Sequence, residues 1–302
     1  MENAALELSA LEQWIGRTRE HADTLTPRLI DAYRATLAPN LAGATPGEAP
    51  PAIHWCLAPE AAEASRIGAD GHPVTGDFLP PIPLPRRMWA GGCVETIAPL
   101  QPGDPVMRRS RIGAITRKEG RSGTLCFVTV EHEFTTERGP AIRERQDLVY
   151  RDVAPPAAKP ASSPAADPAS DKPRTGAMDA ATSAPAPQCD LMWSVPASPV
   201  LLFRYSALTF NSHRIHYDLP YATGTEGYAG LVVHGPLQAS LLLNLAATIG
   251  GGTPRIFDYR GVAPLIAGGT FLVCGRRQTD GSLRCWTQSA AGEKCMEATA
   301  SW

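Results

Sequence analysis

Residues 233–252 read VHGPLQASLLLNLAATIGGG, and this stretch predicts a buried helix with a defined start and end. Gly235 and Pro236 suit its first turn, because glycine allows the close approach of another group and proline lacks an N–H that would be unpaired there. From Leu237 to Ile249 the residues are apolar almost all round, which is typical of a helix inside a protein core. At about 20 Å this helix is too short to span a bilayer, and the three glycines end it.

The composition of the whole chain indicates a globular protein of about two domains. The chain has 302 residues, of which 43% are hydrophobic, and a formal charge of -2, which argues against a nucleic-acid partner. The seven cysteines show neither disulfide nor metal-ligand spacing, so we expect reduced thiols, no metal site and a cytoplasmic location. No signal peptide or membrane span is predicted, since no apolar run reaches the about 18 residues that a span needs.

Two similar series of strand patterns predict an internal duplication. Ala-Pro-Leu stands at residues 98–100 and again at 263–265, and strand-like alternation follows each copy. The predicted strands cover residues 106–115, 124–135 and 141–151 in the first series, and 270–277, 282–290 and 294–302 in the second. A long helix beside an antiparallel sheet gives an α+β fold class, here in two tandem copies.

The remaining segments are predicted with less regular structure. Residues 9–41 have the pattern of a helix, a turn and a second helix, residues 53–57 suggest a strand, and the prolines of 78–85 favour an extended loop. Residues 154–190 are rich in Pro, Ala and Ser and are predicted to be a disordered linker. We therefore expect domains at 1–153 and 191–302.

The stretch before the long helix carries the candidate catalytic groups, since residues 211–218 read NSHRIHYD. His216 is the first candidate because imidazole titrates near neutral pH. The N–H of Gly235, at the positive end of the helix dipole, is a candidate for holding an oxyanion, although glycine is also ordinary at a helix start. Together they suit addition or removal of water next to a thioester carbonyl. Asn211 would hold the water, and Asp218 would orient His216 or act directly.

These polar residues also have simpler interpretations. A histidine followed by Tyr and Asp, as His216 is, is also typical of a surface turn. Asp218 stands before Leu-Pro and suits a turn, and Asn211 suits a helix cap. Two further histidines, which we include as substrate-binding candidates, can equally bond to nearby backbone groups: His213 and His234.

Residues 205–218, YSALTFNSHRIHYD, resemble the hydroxyacyl-thioester dehydratase branch of the MaoC-like hydratases and dehydratases. In the wider family the motif is Gly-Asp-x-Asn-Pro-x-His, and its Asp and His are the catalytic pair. On this chain the His falls on His216, the Asp on Asn211 and the Asn on His213. An amide cannot act as a general base. Either His216 works with Asn211 only positioning water, or Asp218 supplies the carboxylate.

The N-terminal half extends this resemblance. Residues 54–57, 71–73, 78–81, 83–92 and 118–123 are similar to hydratases of this family that act on a branched five-carbon dicarboxylic enoyl-CoA. The resemblance implies a double hot-dog fold, in which the first copy is non-catalytic and helps to hold the thioester. It also implies reversible hydration, with no cofactor beyond the coenzyme A of the substrate, and we consider a homodimer possible.

A dicarboxylic acyl-CoA requires cations, and arginine binds a planar carboxylate better than lysine does. Arg214 is the first choice because it lies two residues from His216. Other hydratase specificities, including itaconyl-CoA or a broader range of acyl groups, stay open, as do a thioesterase and a non-catalytic acyl-CoA binding protein. The other candidate arginines are Arg86, Arg87 and Arg260.

Overall fold

Ten strands and five α-helices make up the part of the chain that the computed structural model describes, residues 8–120, 123–152 and 188–302. The strands are β1 (Thr18–Thr24), β2 (Arg86–Thr96), β3 (Pro105–Gly120), β4 (Gly123–Thr136), β5 (Gly139–Arg151), β6 (Leu191–Pro196), β7 (Ile256–Gly261), β8 (Thr270–Arg277), β9 (Leu283–Gln288) and β10 (Lys294–Ser301). The α-helices are α1 (Leu8–Glu12), α2 (Pro27–Leu37), α3 (Pro199–Thr209), α4 (Leu219–Gly224) and α5 (Gly235–Gly250). Short 3-10 helices lie at Ile53–Cys56, Ala64–Arg66 and Arg214–His216.

The described strands form one antiparallel sheet in the order β1-β3-β4-β5-β2-β7-β10-β9-β8-β6. Each half of this order repeats the other about the central pair, so that β1 corresponds to β6, β2 to β7, and β3 to β5 correspond to β8 to β10. β2 and β7 pair antiparallel at the centre and join the two halves. The predicted tandem arrangement of two α+β copies is therefore confirmed, with the two sheets continuous at their edges.

The contact between the two halves requires glycine at position 92. A Cβ on Gly92 would lie 2.1 Å from the carbonyl oxygen of Arg145 and 2.4 Å from the hydroxyl of Tyr259, so no side chain fits there. The same Tyr259 hydroxyl donates a hydrogen bond across the seam to Glu144, at 3.0 Å. The two copies therefore share packing and hydrogen bonds across one continuous sheet.

The helix α5 is the one predicted from the sequence, and it packs against β8, β9 and β10. Its residues 237–247 are all buried, and it ends where Gly251 adopts a left-handed conformation with φ 77°. Its buried Asn244 also fixes the first copy, since its Nδ2 donates to the Pro51 carbonyl and its Oδ1 accepts from the Ala42 N–H, each at 3.2 Å. The core helix of the second copy thus anchors the loop of the first.

The two copies differ in their helices. In each copy the first strand is followed by a hydroxyl-capped helix: Thr26 caps α2 and Ser198 caps α3. In the second copy α5 then covers the sheet. In the first copy, residues 38–85 contain only 3-10 helices and loops, and α2 packs against α3. Among the described residues, no long helix therefore covers β2 to β5; side chains of α2 and of the loops pack against part of these strands, and the cavity lies beside them.

Two local predictions are wrong. In residues 9–41 both predicted helices are present, as α1 and α2, but the turn predicted between them is wrong, because Thr18–Thr24 is an edge strand paired with β3. Residues 53–57 are not a strand, because the backbone turns at Ala52, with φ 69°, and continues as a 3-10 helix. The three strands predicted after each Ala-Pro-Leu are confirmed.

The predicted linker, residues 154–190, lies almost entirely outside the described residues, so the linker and the bounds 1–153 and 191–302 stay predictions. Within the described residues, no helix combines the length and the apolar character that crossing a membrane would require.

Candidate active site

A cavity of about 760 Å³ lies between the two copies. Its lining includes residues 209–213, 215 and 216 with the start of α5 from the second copy, and residues of β2 to β5 from the first copy. Of the residues predicted from the sequence to form a site, those on the wall are Asn211, His213, His216, Gly235, Arg87 and Arg260.

His216 is held in one tautomer by the backbone. Its Nδ1 lies 2.7 Å from the carbonyl oxygen of Val232, and a carbonyl only accepts hydrogen bonds, so Nδ1 carries the proton. Burial lowers the pKa of His216 to about 4, although the bond to Val232 opposes this shift. At neutral pH the ring is therefore uncharged, and its Nε2, which has no hydrogen-bond partner among the described residues, is an acceptor facing the cavity.

Gly235, which lines the same cavity, has an N–H that is free of the helix hydrogen bonds. It is the first residue of α5, so its N–H has no partner inside the helix and lies at the positive end of the helix dipole. A Cβ on Gly235 would lie 2.7 Å from the Trp89 ring, so only glycine fits against that ring. The predicted imidazole acceptor and amide donor therefore line one cavity, and of the two only the amide donor is suited to hold an oxyanion.

Asn211 is oriented by its own loop. The loop leaves α3 through Phe210, which is left-handed with φ 50°. The Oδ1 of Asn211 accepts the N–H of His213 at 2.9 Å. Its amide Nδ2 has no hydrogen-bond partner within the described ranges, so Asn211 has a free donor to offer the cavity.

Four imidazole rings lie in a row through the site. The ring centroids of His72 and His213 are 4.0 Å apart, those of His213 and His216 are 5.4 Å apart, and those of His216 and His234 are 3.5 Å apart. Burial is the largest cause lowering the pKa of each ring, so all four are uncharged at neutral pH. His234 is fully buried behind His216, with its Nε2 2.8 Å from Ser206.

His72 comes from the first copy, and the sequence analysis assigned it no role. Its Nδ1 lies 2.8 Å from Oδ2 of Asp70. The loop that carries both residues is fixed to the second copy, because the Asp70 carbonyl accepts the N–H of Arg214 at 2.9 Å and the Gly71 carbonyl accepts the Ser212 hydroxyl at 2.5 Å. Residues 71–73 lie in a stretch that carries the family resemblance, and this was the only sequence signal for them.

Arg214 and Asp218 pair with each other outside the cavity. The Nε and Nη2 of Arg214 donate to Asp218 at 2.9 and 2.7 Å, and these bonds lower the pKa of the carboxyl group. Asp218 also caps α4 by accepting the N–H of Tyr221, and Arg214 reaches the carbonyl of Ala69. Their positions therefore give no support to Asp218 as the catalytic carboxylate or to Arg214 as a substrate cation.

The other three candidate arginines differ in their surroundings. Arg86 is buried and bonds to Glu226 at 2.7 Å, away from the cavity wall. Arg260 lines the cavity but is largely exposed, and it pairs with Glu297. Arg87 lines the cavity close to the row of histidines. Arg87 is thus the best placed of the four to meet an anionic acyl group.

Comparison with known proteins agrees with this geometry. Hydroxyacyl-thioester dehydratase type 2 is the family that matches residues 52–267. The mesaconyl-C4-CoA hydratase of Chloroflexus aurantiacus is 42% identical over 288 residues, which cover 95% of each chain. The chain belongs to this dehydratase family. It is accordingly an enzyme of the hydro-lyase class.

Solved structures place this dehydratase among double hot-dog proteins. HtdX of Mycobacterium tuberculosis has a TM-score of 0.63 at 18% identity, covering 94% of this chain and 98% of that one. A MaoC-like dehydratase from Phytophthora capsici has a TM-score of 0.65 at 16% identity, covering 97% and 98%. A further M. tuberculosis protein, described as a double hot-dog, has a TM-score of 0.53 at 16% identity, covering 95% of each chain. At these identities the likeness shows the fold, which is the double hot-dog predicted from the sequence.

The first copy of the dehydratase contributes a polar region to the cavity that the sequence analysis missed. Glu144 is buried there and accepts hydrogen bonds from Trp55 at 2.9 Å and Tyr259 at 3.0 Å. Burial raises the pKa of Glu144, and Nε2 of His54 lies 4.0 Å from it. Arg108 lines the same region, and its buried Nε has no hydrogen-bond partner in the described part of the chain. These residues are far apart in sequence, on three strands and one 3-10 helix, so only the folded structure brings them together.

The dehydratase also contains one candidate group for a metal, formed by Asp70, His72 and His213. Their ligand atoms lie within 4.8 Å of one another. However, Asp70 and His72 already bond to each other, and a metal would have to break that bond. Burial is the largest influence on the pKa values of these groups, and the nearby Arg87 guanidinium also lowers each of them. A second cation would be repelled there, so we interpret the group as a carboxylate-imidazole pair.

Proposed function

We propose that this dehydratase family member catalyses the reversible hydration of an enoyl-CoA, with mesaconyl-C4-CoA and citramalyl-CoA as the first candidate pair. The observation that carries the proposal is the neutral Nε2 of His216 facing the same cavity as the free N–H of Gly235. The choice of substrate is supported by the 42% identity to a protein named mesaconyl-C4-CoA hydratase.

The reaction follows from the two groups. In hydration, Nε2 of His216 accepts a proton from water while the water oxygen bonds to the β-carbon of the thioester. The electron pair of the double bond moves to the thioester oxygen, and the resulting enolate accepts a hydrogen bond from the Gly235 N–H. The proton then passes to the α-carbon and His216 returns to its neutral form. Dehydration runs through the same steps in reverse.

The wall of the cavity suits an acyl group with a free carboxylate. Arg87 lies on the wall near the row of histidines, and its planar guanidinium matches a carboxylate. Arg260, which is largely exposed, is placed to meet a phosphate of the coenzyme A. The reaction needs no further cofactor. A cytoplasmic location and a homodimer also belong to this proposal; the location is supported by the cysteine spacing, which favours reduced thiols.

A turnover assay of the purified full chain tests the proposal. The thioesters are mesaconyl-C4-CoA, itaconyl-CoA and a straight-chain enoyl-CoA without a carboxylate, with products identified by mass and free CoA followed with a thiol reagent. We expect a mass gain of one water with the thioester intact, and preference for a carboxylate-bearing substrate. Release of free CoA as the main product would instead indicate a thioesterase, and binding without turnover a non-catalytic acyl-CoA binding protein.

The preference itself is tested with Arg87→Met, which keeps the length of the side chain and removes its charge. We expect kcat/KM to fall about 100-fold for the carboxylate-bearing thioester, a typical loss for a charge-assisted bidentate bond. The same variant should change turnover of the straight-chain thioester by less than about threefold, which is under 1 kcal/mol of barrier. Equal losses on both substrates would contradict a carboxylate-binding role.

A further inference from the structure

The attacking water in the proposed hydration has two hydrogens and therefore donates two hydrogen bonds. His216 supplies one acceptor through Nε2. Asn211, at the position where the family has a carboxylate, has its only oxygen engaged by the His213 N–H. Its free Nδ2 can donate to the water oxygen but cannot receive either hydrogen. The other neutral ring of this loop, His213, has no hydrogen bond to either ring nitrogen among the described residues, so no contact fixes which nitrogen accepts.

His72 has the properties that this second acceptor needs. Asp70 accepts the Nδ1 proton of His72, since hydrogen bonds from His72 keep the pKa of that carboxyl below its usual range despite its burial. This bond fixes the tautomer in which Nε2 is unprotonated, as the Val232 carbonyl does for His216. Nε2 of His72 has no hydrogen-bond partner among the described residues, and His72 lines the same cavity.

The position of His72 is fixed by close backbone contacts. Gly71 has φ 90°, and a Cβ there would lie 1.9 Å from the carbonyl oxygen of Ser212. Only glycine therefore allows this loop to lie against the catalytic loop. The resulting contact stacks the His72 ring 4.0 Å from that of His213, the immediate neighbour of His216 in the row of rings.

We propose that His72 of the first copy is a catalytic residue, which accepts a hydrogen bond from the second hydrogen of the attacking water, and that Asp70 is its positioning residue. This inference rests on the proposed hydration. The water oxygen, held by Nε2 of His72 and Nε2 of His216, then directs a lone pair at the β-carbon. Only one proton is transferred, to His216 and then to the α-carbon, so His72 keeps its protonation state throughout. The pair replaces from the other copy the carboxylate that Asn211 does not provide.

The test compares His72→Ala, His72→Gln and Asp70→Asn with wild type, using the carboxylate-bearing thioester that wild type hydrates. For His72→Ala we expect kcat to fall about 100-fold, as for loss of a group that orients the reacting water, while KM stays within about threefold. Glutamine restores an acceptor oxygen, so His72→Gln should recover at least about tenfold of that loss. Asp70→Asn should lower kcat by about tenfold. Asp258→Asn, an exposed carboxylate on β7 outside this cavity, is the matched control.

Three outcomes would overturn the inference. The first is that wild type hydrates the thioester and that the kcat of His72→Ala is within about threefold of the wild-type kcat. The second is activity of the wild type that is lost on dialysis against a chelator and restored by zinc, which would make the group of Asp70, His72 and His213 a metal site.

The third outcome needs no activity at all. Nitrogen-proton NMR of the full chain labelled at histidine reports the tautomer of His72, assigned by its loss in His72→Gln. We expect Nδ1 to be protonated and Nε2 to be free; protonation at Nε2 would overturn the inference. If no thioester is hydrated by wild type, the proposed function fails, whereas the NMR result still decides whether His72 can accept a hydrogen bond from water.

Discussion

Acidification should destabilise this protein well before its carboxylates titrate, because its histidines are buried without charge. Burial lowers the pKa values of His72 and His216 to about 4 and those of His54 and His132 to about 3, against 6.5 for an unperturbed imidazole. The unfolded chain therefore binds more protons than the folded chain between about pH 6.5 and 4. Stability is fully present above pH 6.5 and is lost as the pH falls through this window.

The size of the loss follows from the shifts. A histidine whose pKa is 6.5 unfolded and about 4 folded lowers the free energy of unfolding by about 2 kcal/mol between pH 7.5 and pH 5. Together, the four histidines whose pKa values are given above would lower the free energy of unfolding by up to about 8 kcal/mol. This is comparable to the whole stability of many domains. Glu144, whose pKa is raised by burial, opposes this change, because its contribution is lost as the pH rises.

Urea denaturation followed by tryptophan fluorescence at pH 7.5, 6.5, 5.8 and 5.0 measures this loss. The variant His132→Gln removes one titrating ring from the first copy. Glutamine keeps a polar group near Ser110, whose hydroxyl lies 2.8 Å from the Nδ1 of His132. Its free energy of unfolding should fall by about 2 kcal/mol less than that of wild type between pH 7.5 and 5. An unchanged slope in the variant, or a wild-type stability that does not decrease over this range, would refute the reasoning.

Three further predictions concern the site and the linker. His216→Ala should lower kcat by about 10²- to 10⁴-fold, and Asn211→Ala should lower it less, because a positioning donor leaves the base in place; steady-state rates in the reverse order would make Asn211 the main water activator. Gly235→Ala should lower kcat by about 100-fold. It should also cost about 1–3 kcal/mol of stability, since its Cβ would lie 2.7 Å from the Trp89 ring. In thermal unfolding, the double variant with Trp89→Leu should regain the stability, but its kcat should stay low. Deleting residues 157–187 should leave the melting temperature and kcat nearly unchanged, and a large drop in either would show that the predicted linker has a structural role.

The sequence predicted those elements whose patterns are long and local. The helix α5 was predicted because it combines a glycine-proline start, a long apolar run and a glycine end. The strands β3 to β5 and β8 to β10 alternate over enough residues to be recognised. The edge strand Thr18–Thr24 was missed because its alternation is between exposed and half-buried residues, most of them polar. β2 was missed because its two glycines, required at the seam between the copies, carry no strand signal.

The candidate site was predicted only where it is local in sequence. Asn211, His216 and Gly235 lie within one stretch of chain, and the structure brings them to one cavity. His72 lies more than a hundred residues earlier, and only the packing of the two copies places it beside His213. Arg214 shows that nearness in sequence can also suggest a role that the structure does not support. Its nearness to His216 in sequence suggested a substrate role, but on this backbone it pairs with the residue four positions ahead of it.

Among the described residues, the first copy has no counterpart of α5, and its side chains line part of the cavity. In the proposed hydration, the size and polarity of the space for the acyl group would depend on these side chains. Apart from His72 and Asp70, the proposed chemical groups belong to the second copy. Mutations elsewhere in the first copy could therefore adapt the chain to a new acyl group while these groups stay in place. The contact through Gly71 sets the limit of that freedom, because there the two halves of a duplicated gene must change together.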